Sequence, residues 1–223
     1  MVYVTSDIHG RKEEFNELLK QIYFSENDEI FVLGDVLDRG KESISLLIQI
    51  MNTKNIHLLM GNHELYAILS LDEFNNIDGY DKQKIMNSWS LNGGFDTATE
   101  YKSLDKQRRV DLLTFLKKLK YFENITVNNQ DYILAHSYMP VLDDESNTSY
   151  FNNLKNMIRI DYEKEYFKGK IFISGHTPSH YIDVNYRNKI FKNSYNINVD
   201  CGEHTLACLC LNNFNEYYVS VQV

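Results

Sequence analysis

A chain of 223 residues suits one domain of ordinary size and leaves little room for two. Hydrophobic residues at 43% and charged residues at 24% describe a globular protein and exclude wholesale disorder, and no apolar run is long enough to span a membrane. The formal net charge of −8 argues against general nucleic-acid binding, which needs clustered Lys and Arg, but leaves room for a phosphate site where metal ions reverse the local sign.

The first residues, Met1-Val2-Tyr3-Val4-Thr5, have neither the basic start nor the long apolar stretch of a secretion signal. Cys201, Cys208 and Cys210 are odd in number, which reads as reduced thiols and a cytoplasmic location. Cys208 and Cys210, flanked by Leu and Ala, read as two same-face positions of a buried strand. The abundance of Asn, Lys, Ile and Tyr suggests an AT-rich bacterial genome.

In chain order, a short apolar strand over 2–5 ends at Asp7, and a helix over 11–22 carries Phe15, Leu18, Leu19 and Ile22 at helical spacing. A second strand over 29–33 stops at Gly34-Asp35, a helix follows over 43–51, and a third strand over 56–60 stops at Gly61-Asn62. Strand, polar loop and helix in repetition predict parallel strands with crossover helices, whose carboxyl ends bring polar loops together. The stretch 62–118 reads as mostly helical. Its clearest amphipathic helix, 105–119, has Val110, Leu112, Leu113, Leu116 and Leu119 facing one way. Strands over 121–127, 132–135, 170–174, 196–199, 205–211 and 216–221 then predict a second, mixed or antiparallel sheet. The expected fold class is α/β: a four-layer α/β/β/α sandwich of two mixed sheets in a single domain, 1–223, with a helical cap or insertion at about 75–120. The polar loop 143–149 reads as solvated surface.

Four blocks follow strand-like runs: Asp7-Ile8-His9-Gly10, Gly34-Asp35-Val36-Leu37-Asp38-Arg39-Gly40, Gly61-Asn62-His63-Glu64 and Gly175-His176-Thr177-Pro178. A weaker fifth is Ala135-His136-Ser137-Tyr138. Asp7 and His9, two apart on an exiting strand, offer an oxygen and a nitrogen. Asp35 has two carboxylate oxygens with which to bridge two ions, Asn62 a neutral oxygen, and His136 and His176 nitrogens. This mixed nitrogen and oxygen set without thiolates suits two divalent ions, manganese first and iron or zinc as alternatives. Such a pair activates a bridging water. Arg39 supplies a fork that matches phosphate, and His63, oriented by Asp38, can donate a proton to a leaving alkoxide. His57, His180 and His204 fall outside these roles.

The ordered blocks resemble the metallophosphoesterase superfamily, and within it the phosphoprotein phosphatases that act on serine and threonine, in their small bacterial and phage form. The resemblance runs from Asp7 to about Gly202. It implies that Asp7, His9 and Asp35 hold one metal and that Asp35, Asn62, His136 and His176 hold the other. It also implies that Arg39 and Asn62 contact phosphate, that His63 and Asp38 form the catalytic acid dyad, and that a second phosphate-binding arginine lies between the last two metal histidines. Arg159 is the only arginine there. His136-Ser137-Tyr138 departs from the usual His-Gly-Gly or His-Ala-Gly, which changes the cleft wall and makes Tyr138 a candidate substrate contact. Asn92-Gly93-Gly94, after Trp89, is similar to a segment of the small phosphatases and reads equally as a cap over the cleft or as a plain helix break.

The implied activity is hydrolysis of phosphoserine and phosphothreonine by in-line attack of a hydroxide held between the two ions. Phosphorylated proteins or peptides would be the partners, with no membrane, general nucleic acid or regulatory subunit among them. The alternative is a symmetrical dinucleoside tetraphosphatase or a related nucleotide or RNA-end hydrolase, which carries the same blocks. A catalytically dead binder of phosphorylated partners is the reading from a different class.

Overall fold

The computed structural model describes residues 1–72, 81–138, 150–157 and 160–221. Strands β1 (Val2–Thr5), β2 (Glu29–Val32) and β3 (Ile56–Leu58) are parallel neighbours, linked by helices α1 (Lys12–Gln21) and α2 (Ser43–Met51) as the alternation of the sequence predicts. Helices α3 (Asn62–Leu71), α4 (Lys82–Trp89), α5 (Phe95–Ser103) and α6 (Lys106–Leu116) follow, with a kink at Gly93 in the segment Ser90–Gly94 that joins α4 to α5. Then come β4 (Phe122–Val127), β5 (Gln130–Ala135), α7 (Tyr150–Asn156), β6 (Ile171–Ser174), β7 (Phe191–Lys192), β8 (Asn196–Asn198), β9 (Thr205–Cys210) and β10 (Glu216–Ser220).

Two mixed sheets result, ordered β10-β9-β1-β2-β3 and β4-β5-β6-β8-β7. The chain end corrects one expectation: β9 and β10 do not join the second sheet but return to the first, β9 running antiparallel to β1. The period of two along each strand explains how both faces are filled. Val4, Leu33, Ala207 and Leu209 pack against Tyr132, Leu134, Ile173 and Ile197 and join the sheets face to face. Tyr3, Ile30, Val32, Cys208 and Cys210 point the other way, into the helical layer with Phe15, Leu18, Leu46 and Leu116. Cys208 and Cys210 thus share the buried face read from the sequence. The outer face of the second sheet is covered by Ile160, Tyr162, Tyr166, Phe167, Ile182 and Tyr186, which pack on Ile133, Phe172 and Phe191.

Val110 is a second correction. It is 49% exposed, and Leu112 and Leu116 are the buried positions of α6, because the helix docks through a narrower stripe than its apolar count suggests. Among the described residues no helix is long and apolar enough to cross a membrane.

Candidate active site

β1, β2 and β3 run parallel in one sheet, and β5, β6 and β8 run parallel in the other. Just past their carboxyl ends stand Asp7, Asp35, Asn62, His136, His176 and Asp200. The loops are laced together: the Asp7 amide donates to Gly34 O at 3.2 Å, that of His9 to Asp35 O at 2.9 Å, that of Gly10 to Val36 O at 2.7 Å, and that of Gly175 to His136 O at 3.1 Å. Asp7, His9, Asp35, Asp38, Arg39 and His176 all have positive φ, between 50° and 72°. None is glycine, so each left-handed residue costs on the order of 1 kcal/mol, which the surrounding bonds must offset.

The side chains converge on Asp35. Its Oδ2 lies 3.3 Å from His136 Nε2, 3.8 Å from His63 Nε2 and 3.9 Å from His9 Nε2. Its Oδ1 accepts the His63 amide at 3.0 Å, while Oδ2 faces the three rings. Asp7 is held similarly: Oδ2 accepts from Ser6 Oγ at 2.5 Å and from the His176 amide at 2.9 Å, while Oδ1 is 3.9 Å from His9 Nε2. His136 Nε2 lies 3.0 Å from Asn62 Oδ1 and 3.1 Å from His176 Nδ1. Among the described residues, ligand atoms of His9, Asp35 and His63, and of Asp35, His136 and His176, lie within 4.8 Å of one another. All the predicted ligands therefore come together, with Asp7 reaching the first group through His9.

These residues fit a pair of divalent cations. His9 and His136 each set Nδ1 against a backbone carbonyl, Leu37 O at 2.9 Å and Leu33 O at 2.7 Å, which leaves Nε2 for a metal. Burial, helped by His63, holds the His9 pKa well below its ordinary value, so this ring is neutral and ready to ligate. Burial also works to lower His136, but Asp35 and Asp7 overcome it and raise the pKa to about 10. The carboxylates thus call for positive charge at this point, supplied by an imidazolium or by a cation. Burial opposes ionisation of Asp35, yet His136, His63 and His9 hold its pKa well below the usual carboxylate range.

His63 differs from the other rings. Its Nδ1 lies 2.6 Å from Asp38 Oδ2, and Nε2 lies 3.4 Å from an Arg39 nitrogen. Burial lowers its pKa, but Asp35 and the Asp38 hydrogen bond more than compensate and leave it raised. Asp38 is fully buried, whereas Arg39 is exposed at the rim.

A profile of the calcineurin-like phosphoesterases matches residues 1–180. The chain belongs to the calcineurin-like phosphoesterase family. It is 32% identical over 142 residues to serine/threonine-protein phosphatase 2 of Salmonella typhimurium, a match that takes in 62% of this chain and 59% of that protein. The chain therefore spans about three fifths of the length of that relative. It is also 28% identical over 177 residues to the symmetrical bis(5'-nucleosyl)-tetraphosphatase of Wigglesworthia glossinidia brevipalpis, with 71% and 64% of the two chains covered. A solved structure of a protein provisionally assigned as a diadenosine tetraphosphatase superposes with a TM-score of 0.60 at 14% identity, covering 98% of this chain and 92% of that one. That likeness is one of fold. The family uses a dinuclear metal site, and the two donor groups around Asp35 are this phosphoesterase's candidates for it.

Four residues of the phosphoesterase site escape sequence reasoning. Glu64 is fully buried, and its carboxylate accepts the amides of Asp35 at 2.8 Å, Val36 at 2.9 Å, Leu37 at 3.3 Å and Gly61 at 3.0 Å. Burial and Asp35 push its pKa up to about 7. Its place at the third position of α3 was the available signal, since Glu there caps a helix start. Arg11 donates to the carbonyls of Asp7, Ile8 and Glu203 and so ties the first loop to the turn beyond β8. Asp200 is buried there, and burial followed by Asp7 raises its pKa well above normal. Trp89 Nε1 donates to Asp38 Oδ2 at 2.7 Å, a contact across 51 positions of sequence. Tyr138 stacks at a tilt on Tyr166, with centroids 4.6 Å apart, as part of the aromatic cover of the second sheet. Arg159 and the loop 143–149 lie outside the described residues.

Proposed function

We infer that this phosphoesterase hydrolyses phosphomonoesters and acts on phosphoserine and phosphothreonine in proteins or peptides. The observation that carries this reading is the buried His63–Asp38 pair, 2.6 Å apart beside the donor cluster and Arg39. A serine or threonine alkoxide is a poor leaving group and needs a proton as it departs, which a positioned acid supplies at a gain of roughly 10²–10⁴ in rate. Asp38, 2.6 Å from Nδ1, favours the protonated His63 ring, whereas His9 sets Nδ1 on Leu37 O and leaves Nε2 for a ligand.

Asp7, His9 and Asp35 would hold one divalent ion, and Asp35, Asn62, His136 and His176 the second, with manganese as the first candidate and iron or zinc also compatible with the mixed donors. When bound, the ions supply a nucleophile from water at neutral pH and neutralise phosphoryl charge. Arg39, with Asn62, orients the phosphoryl oxygens through its fork. Asp38 fixes the His63 ring so that Nε2 delivers the proton. Arg159 is assigned a second phosphate contact on the family resemblance alone.

The tetraphosphatase reading stands second because a relative bearing that name matches a larger share of this chain than the phosphatase does. The test is the rate with manganese on a phosphoserine peptide against diadenosine tetraphosphate. Faster cleavage of the peptide, abolished by chelation and lowered about 10²-fold or more in His63→Asn, is the expected result. Preferential cleavage of the dinucleotide would replace the substrate assignment. No metal-dependent hydrolysis of either would overturn the reaction class.

A further inference from the structure

The acid dyad does not stand alone. Asp38 Oδ2 receives two donors, His63 Nδ1 at 2.6 Å and Trp89 Nε1 at 2.7 Å, and both partner rings are almost wholly buried. Asp38 Oδ1 is buried with no partner among the described residues, so the orientation of this carboxylate depends on what Oδ2 touches. The backbone here is also under constraint, since Asp38 and Arg39 sit at φ 72° and 66°.

The segment that carries Trp89 holds this strained loop at several points. Thr97 Oγ1 accepts the Asp38 amide at 3.1 Å, and Gly93 O accepts the Arg39 amide at 3.1 Å. Glu100 caps the start of α2 by accepting the Ser43 and Ile44 amides at 3.1 and 3.2 Å. The kink between α4 and α5 makes this possible. Gly93 at φ 96° turns its carbonyl to Arg39, and Gly94 lies so close beneath the indole that a Cβ would stand 2.4 Å from it.

We propose that Trp89 is a positioning residue for the acid, its indole N–H fixing the Asp38 carboxylate that aims His63 at the leaving group. The proposal rests on the acid role of His63 inferred above. Among the described residues the hydrogen bond of the Trp89 indole goes to Asp38 and not to a cluster donor. Its effect is therefore felt where proton delivery limits the rate, and substrates that need no proton are spared. Trp89 is the only tryptophan of the chain, so growth on β-(3-benzothienyl)alanine replaces this one indole by an isostere whose sulfur cannot donate.

The experiment compares this replaced protein, loaded with manganese, on a phosphoserine peptide and on p-nitrophenyl phosphate, whose leaving group departs without protonation. We expect kcat to fall about 10- to 100-fold on the peptide, less than the roughly 10²–10⁴ that a general acid supplies in full, and less than about 3-fold on the aryl ester, with both KM values unchanged. A second readout uses metal-free protein: the far-downfield proton resonance of His63 Nδ1–H should broaden or shift on replacement. Equal losses on both substrates with an unchanged resonance would reduce Trp89 to a packing residue, and no loss on either would refute the proposal. His63→Asn separates the two layers of inference. If it shows no preferential loss on the peptide, the acid assignment falls first, whatever Trp89 does.

Discussion

Gly94→Ala sets two rules against each other. Gly94 has φ −75° and ψ −3°, a right-handed conformation that alanine adopts freely, and helix propensity alone credits the change with about 1 kcal/mol of stabilisation. The packing opposes it. An added Cβ would lie 2.4 Å from Cε2 and Nε1 of Trp89, where ordinary contact begins at 3.4 Å, so the indole must retreat by about 1 Å. A shift of that size breaks or compresses the 2.7 Å bond to Asp38. Overpacking costs about 1–3 kcal/mol and the loss of a bond to a charged acceptor about 1.5–3, so the net change is a destabilisation of about 2–5 kcal/mol. Urea unfolding followed by circular dichroism measures it. Gly169→Ala is the control: φ is 75° with nothing within 4 Å of a new Cβ, so only the left-handed conformation is charged, about 1 kcal/mol. If Gly94→Ala proved as stable as the parent, the indole would not be wedged between Gly94 and Asp38 as described.

Arg39 is exposed at φ 66°, so Arg39→Gly should be about 0.5–1 kcal/mol more stable than Arg39→Ala, roughly 1–4 °C in Tm, while both lose phosphate hydrolysis. Equal melting temperatures would show that the loop is unstrained there. In metal-free protein the His136 pKa is raised from 6.5 to about 10, so its stabilisation is fully present below pH 6.5 and lost as pH rises to about 10. Urea unfolding in chelator should therefore show a decline on the order of 5 kcal/mol across that window, flattened in His136→Asn; an unaltered decline in the variant would refute the assignment. All three cysteines are buried, and burial pushes the Cys201 and Cys208 thiols up. A thiol reagent at pH 8 should find no fast-reacting group until denaturant is added, and a stoichiometric burst in native protein would contradict the packing.

Much of this protein was legible in one dimension because its chemistry is delivered at strand ends. Asp7, Asp35, Asn62, His136 and His176 each follow a buried apolar run that the alternation of residues reveals, and parallel strands bring such exits together whatever fills the core between them. What remained hidden depends on contacts that no local pattern encodes. Nothing near Thr205 or Glu216 says that their strands will extend the first sheet beside β1 and not the second sheet, whose edges are β4 and β7. Val110 has the spacing of a core residue, and only the docking of α6 turns it outward. Glu64 and Trp89 carry the same lesson at the site. Their partners lie 29 and 51 positions away, and a buried carboxylate or indole acquires its role from whichever polar group the fold sets opposite it. Local periodicity thus determined which segments become strands and which side chains stand at their ends, whereas the tertiary structure alone decided what holds those side chains in place, because desolvated hydrogen bonds form between groups that only folding brings within 3 Å.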